Sequence, residues 1–132
     1  MPDWENCEVR FNVWLETDGE VALSRWRVAL LDEIGKTGSI TSAAAAMKVP
    51  YRVAWTRVRE METRLGQSLV VGHVGGAGGG GAQLTPEAQS IIRRFRAFEL
   101  GLDSELRARY REHFASTPIE DAAGDPDSNT SV

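Results

Sequence analysis

The stretch GSITSAAAAMKVPYRVAWTRVREMETRLG, residues 38–66, decides the fold. Gly38 breaks the chain, and Ser39 offers a capping hydroxyl for a short helix over about Ile40–Met47. The consecutive alanines Ala43 to Ala46 combine high helix propensity with little bulk, which allows another helix to approach closely. Lys48-Val49 is a tight break. Pro50 opens a further helix at a position where its missing N–H costs nothing, and Gly66 ends that helix as a C-terminal cap. Along it Ala54, Val58, Met61 and Leu65 recur at helical spacing and predict a core-facing stripe. The opposite face then carries Arg52, Thr56 and Arg59, flanked by Tyr51, Val53 and Trp55.

Upstream, EVRFNVWLE (residues 8–16) alternates apolar and polar, with Val9, Phe11, Val13 and Leu15 on one face, and predicts a half-buried strand. Asp18-Gly19 reads as a turn into a short returning strand at 20–23. Ser24 caps a first helix over about 25–36, in which Val28, Leu30, Leu31 and Ile34 face the core. Arg25 and Arg27 sit badly for the helix dipole at its start, so another force must hold them there; phosphate is one candidate. Downstream, Leu69-Val70-Val71 and Ala82-Gln83-Leu84 read as two short strands around a glycine-rich loop. Thr85-Pro86 then starts a long helix reaching about His113 or Phe114. Ile91, Phe95, Phe98, Leu102, Leu106 and Tyr110 form its apolar stripe, which outruns a small core and predicts a second copy of the chain as partner.

Three helices with a tight turn between the second and third, followed by strand, glycine loop, strand and a long helix, make a winged helix-turn-helix. The fold class expected is therefore mainly α, with an N-terminal β-strand and a long C-terminal dimerisation helix. Residues 1–7 are expected to be a flexible N-terminus, 8–115 the domain, and 116–132 a disordered acidic tail. The run of residues 38–66 resembles the helix-turn-helix of LysR-type regulators. YRVAW (51–55), REME (59–62) and GGAGGGGAQLTPEA (75–88) are similar to the DNA-binding domain of ModE-type, molybdate-responsive regulators. The resemblance implies a homodimeric bacterial transcription regulator that binds double-stranded DNA, in molybdenum or other oxyanion-related regulation. It implies DNA-facing roles for Ser39, Thr41 and Ser42 on the second helix and for Tyr51, Arg52, Val53, Trp55 and Thr56 on the third. Helical spacing adds Arg59. The wing would comprise His73, Gly75, Gly76, Gly78, Gly79, Gly80 and Gly81. Regulators of this type carry molybdate-binding domains after this unit. Residues 116–132 leave nothing to build them from, so molybdate binding is not expected.

The 132-residue chain has a net charge of −4, but residues 1–20 carry −5, residues 21–115 carry +5 and residues 116–132 carry −4. Attraction to phosphate fades over about a Debye length, ~8–10 Å, so the basic middle remains compatible with DNA. Cys7 is the lone cysteine; with His73 and His113 it gives no metal-ligand spacing, and no nucleophile–histidine–acid set is present. The chain is therefore expected to be a cytoplasmic non-enzyme without a cofactor, metal site or membrane segment. Several features keep a duller alternative. Trp55 either faces DNA or fills the core. Arg57, Arg59 and Arg64 can pair with Glu60 and Glu62 as a solvated face. Arg93, Arg94 and Arg96 form either a phosphate patch or a solvated face. The glycine loop lacks the Gly-Lys-Ser/Thr ending of a nucleotide-binding loop, which favours a wing over an oxyanion cradle. A rival for the whole chain is an interaction module that hetero-dimerises with a full-length regulator without reading DNA.

Overall fold

A computed structural model describes residues 1–74 and 80–115. The chain divides into two compact units, one spanning Asn12–Leu100 and the other combining Met1–Phe11 with the described residues from Gly101.

In the larger unit β1 (Trp14–Thr17) and β2 (Glu20–Ser24) form an antiparallel hairpin. Asp18 (φ 51°) and Gly19 (φ 79°) at its tip both lie in the left-handed region, as the tight hairpin turn requires. The strand expected over 8–16 is thus shorter and later. Pairing starts at Trp14↔Ser24, and Ser24 is already the cap of the next helix, so residues before Trp14 have no partner strand. Leu15, expected on the buried face, is exposed.

Three helices follow: α1 (Arg25–Thr37), α2 (Ile40–Ala46) and α3 (Tyr51–Leu65). Their starts and stops are local chemistry. The Ser24 hydroxyl accepts from Arg27 N–H at 3.2 Å, and the Ser39 hydroxyl accepts from Ser42 N–H at 2.9 Å. Gly38 and Gly66 close α1 and α3 in the left-handed conformation, at φ 78° and 67°. Pro50 stands one position earlier than expected, as the residue before α3, with extended backbone and no side-chain cap. Ala43 and Ala44 are buried at the α1–α2–α3 junction, whereas Ala45 and Ala46 face outward.

Strands β3 (Val70–Val74) and β4 (Gly80–Leu84) then pair antiparallel, and α4 (Pro86–Tyr110) follows. The Thr85 hydroxyl caps α4 by accepting from Ala88 N–H at 3.2 Å. The core joins Leu30, Leu31 and Ile34 of α1, Ala54, Val58 and Met61 of α3, Leu69, Leu84 of β4, and Ile92 and Phe95 of α4. The Gly38 carbonyl accepts from Ala82 N–H at 2.8 Å, which ties β4 to the turn before α2.

Arg25 and Arg27 are held by carboxylates. Arg25 pairs with Glu99 at 2.7 Å, and Arg27, only 8% exposed, pairs with Glu60 at 2.9 Å. Glu60 also accepts from Arg57 (2.6 Å) and Arg64 (3.0 Å). Burial works to raise the Glu60 carboxyl pKa, but the hydrogen bond and charge of Arg27, then those of Arg57, outweigh it and hold it below its ordinary value. Asp32 behaves alike: burial raises it, while Lys36 and Arg96 together hold it low. Arg96 is therefore ion-paired within the protein, at 3.0 Å from Asp32.

In the smaller unit the first residues, expected to be flexible, include a 3-10 turn at Trp4–Asn6. The Trp4 ring lies 5.2 Å from that of Phe114, and the Tyr110 hydroxyl donates to the Trp4 carbonyl. A wider π-type turn, Arg111–Ala115, follows α4.

Candidate nucleic-acid interface

Helix α3 buries Ala54, Val58 and Met61, so a 3.6-residue period turns Tyr51, Arg52, Trp55 and Arg59 outward. Tyr51 is 49% and Trp55 42% exposed, large values for aromatic side chains with apolar surface to bury. Of the two readings of Trp55, the structure has the outward one. Val53 and Thr56 are half-buried beside them. Thr41 and Ser42 on the first turn of α2 are exposed, and Ser39 is half-buried with its hydroxyl engaged as the cap.

Ser39, Thr41, Tyr51, Trp55 and Arg59 share one concave surface, whose lining does not include Arg52, Val53, Thr56 or Ser42. A groove of about 250 Å³ lies between the start of α2 (Ser39, Thr41), the face of α3 (Tyr51, Trp55, Arg59) and the strand backbone at Gly72 and Gly81. His73 pairs with Gly81 and Val74 with Gly80 through the backbone. The wing residues Gly75, Gly76, Gly78 and Gly79 lie outside the described residues, as does the tail 116–132.

The cations differ in availability. Arg59 is ion-paired to Glu62 at 2.9 Å, and its guanidinium carbon lies 5.3 Å from the Trp55 ring centroid. Arg57 and Arg64 are committed to Glu60. Among the described residues Lys48, Arg52, Arg93 and Arg94 have no ion-pair partner, and Arg52 alone of these lies on α3.

The dimer-facing stripe read from α4 is split. Phe95 is 3% exposed, and Ile91 packs against the same core; the pitch of α4 carries both into the protomer's own interior. Phe98 is exposed, and Leu102, Leu106 and Tyr110 are half-buried. Sequence reasoning missed Glu62 as a structural carboxylate. The Arg59–Glu62 spacing was a signal for the ion pair, but nothing local announced that Glu62 also reaches Leu69 and Val70.

A helix-turn-helix whose third helix stands clear beside a two-stranded wing defines the winged helix-turn-helix class. Residues 27–89 match the bacterial regulatory helix-turn-helix protein, lysR family. The chain is similar to the molybdenum-pterin-binding protein MopB of Rhodobacter capsulatus, at 38% identity over 94 residues, covering 71% of this chain and 34% of that protein. It is also similar to the molybdenum transport protein ModE of Azotobacter vinelandii, at 39% identity over 92 residues, covering 70% of this chain and 34% of that protein. The resemblance to ModE-type, LysR-like regulators is thus borne out, and the chain spans about a third of the length of these relatives. Among solved structures it is similar to the CbnR_DBD–DNA complex, with a TM-score of 0.52 and 18% identity over 69% of this chain and all of that one. That likeness concerns the fold.

Proposed function

We propose that the chain is a transcription regulator that binds double-stranded DNA, with the first turns of α3 in the major groove and the wing beside the backbone. The observation that carries the reading is the outward face of α3, where Tyr51, Arg52 and Trp55 stand exposed on a rigid helix and Arg52 has no ion-pair partner among the described residues. A protruding helix of this kind matches the width of the major groove, and an arginine on it can donate a bidentate pair to guanine. Ser39, Thr41, Ser42, Val53 and Thr56 complete the proposed contact surface, and Arg59, paired to Glu62 and lying over Trp55, borders it. Exposed Thr41 and Ser42 are suited to phosphate oxygens, which position a protein without reading sequence. Phe98, Leu102, Leu106 and Tyr110 supply a homodimer contact along α4. Similarity to relatives named for molybdenum supports a role for the chain in regulating molybdenum or other oxyanion-related genes. Among the described residues no helix is long and apolar enough to cross a membrane.

The test is selection of bound duplexes from a random pool by the 132-residue chain, followed by sedimentation of the chain with and without the recovered duplex. Recovery of a two-fold repeated sequence bound by two chains is expected. A pool that remains random after several rounds refutes sequence-specific binding.

A further inference from the structure

Glu62 spends both carboxylate oxygens on different parts of the domain. Oε1 accepts from Arg59 Nη1 at 2.9 Å, on the preceding turn of α3. Oε2 accepts from the backbone N–H of Leu69 at 2.8 Å and of Val70 at 3.3 Å, where the wing begins. The Glu62 side chain keeps 12% of its exposure, so these bonds form largely out of water. Leu69 is fully buried, and its carbonyl accepts from Thr85 N–H at 3.0 Å just beyond β4. The peptide held by Glu62 therefore anchors both feet of the wing. At its other end the network reaches Trp55 through the Arg59 guanidinium, on the face that carries Tyr51 and Arg52.

We infer that Glu62 is a positioning residue that couples the reading face of α3 to the root of the wing and holds the Arg59 charge on Trp55, away from phosphate. The inference rests on the DNA-binding reading above. The charge logic is simple. A lone carboxylate beside a surface that meets phosphate opposes binding, and a lone arginine there favours every sequence alike. Paired, the two are close to neutral, so affinity from this part of α3 depends on the exposed side chains that can read bases. The same carboxylate fixes where the wing leaves the helix, through charge-assisted bonds to two backbone donors.

Glu62→Gln and Glu62→Ala separate the two jobs. The glutamine amide oxygen still accepts from Leu69 and Val70, but its NH₂ cannot accept from Arg59. In Glu62→Gln, Leu69 and Val70 should keep slow amide exchange and the thermal midpoint should stay close to that of the parent. Affinity for scrambled duplex should rise roughly five- to tenfold at about 0.1 M salt, and the log–log salt slope should steepen by about one. Preference for the selected duplex over the scrambled one should fall by about tenfold. Adding Arg59→Ala to Glu62→Gln removes the released cation and should restore the parent slope. Glu62→Ala should lose both functions, with faster exchange at Leu69 and Val70 and weaker specific binding. A merely structural role would move exchange and thermal midpoint but leave the salt slope and duplex preference of Glu62→Gln at parent values, and that result overturns the inference. Exchange at Leu69 and Val70 unchanged in Glu62→Ala overturns the wing-root half. If the parent protein binds no duplex, the DNA reading itself falls and this inference with it.

Discussion

Arg52→Ala removes a side chain that the fold does not use. Arg52 is exposed on the first turn of α3 and has no ion-pair partner among the described residues, so truncation breaks no salt bridge and opens no cavity. Alanine is also at least as good a helix former as arginine. Folding stability should therefore stay within about 0.5 kcal/mol of the parent. Binding should respond very differently. An arginine reading a base contributes roughly 1–3 kcal/mol of discrimination, which is roughly a five- to 150-fold loss of affinity for the selected duplex. An arginine on phosphate instead weakens selected and scrambled duplexes about equally and lowers the salt slope by about one. Fluorescence anisotropy on both duplexes across a salt series, beside a urea titration of each protein, separates these outcomes. Arg57→Ala is the control from the same helix: it removes one of three arginines from Glu60, so stability should drop by a few tenths to about 1 kcal/mol. If Arg52→Ala binds both duplexes as the parent does, with the same salt slope, α3 does not meet DNA through its first turns and the proposed orientation is wrong.

Other perturbations test the frame that presents this face. Met61→Ala, at a position with 0% exposure beneath α3, should cost roughly 2–5 kcal/mol in a denaturant titration. Gly38→Ala forces an L side chain into the left-handed region at φ 78°; it should cost roughly 1–2 kcal/mol, and a neutral result would contradict that backbone assignment. Glu60 has a folded-state pKa below its ordinary 4.5, so its contribution to stability is complete above that value and is lost as pH falls through the depressed one. The urea midpoint should accordingly drop on acidification below about pH 4.5, and this component of the drop should be absent in Glu60→Gln. At neutral pH Glu60→Gln should itself be destabilised by about 2–3 kcal/mol, less than the figure for a fully buried pair because Glu60 keeps 23% exposure.

How much of this was legible in the chain follows from the range of each interaction. The helix limits could be read because Ser24, Ser39 and Thr85 each cap a donor three residues away, and because Gly38 and Gly66 serve positions close to themselves. The N-terminal strand is shorter than its alternation predicts because alternation reports which way side chains point, not whether a partner strand exists. For Arg25 and Arg27 the sequence leaves phosphate as one candidate partner, since Glu99 and Glu60, which hold them, lie 74 and 33 residues along the chain. On α4 an unbroken apolar stripe could not reveal where the protomer's own core stops; Phe95 falls inside and Phe98, one turn later, is exposed.

The candidate interface is a case where part of a surface follows from its complement. Once Ala54, Val58 and Met61 are assigned to the core, the helical period leaves Arg52, Thr56 and Arg59 no choice but the far side of α3. That inference needs no tertiary information, and it is correct for the two arginines, while Thr56 ends half-buried. The period cannot rank the cations it turns outward. Arg59 meets Glu62 and Trp55, whereas Arg52 meets no carboxylate among the described residues, and the difference lies in one side chain whose second oxygen is committed to the wing root. A cation's position on a helix can thus be deduced from its neighbours in sequence, while its freedom to bind a phosphate or a base depends on where the nearest carboxylates are fastened. Arg52 and Arg59 are seven residues apart on one helix, and they should respond to alanine substitution in opposite ways: loss of discrimination with stability intact for Arg52, and a change in stability, through Glu62 and the wing, for Arg59.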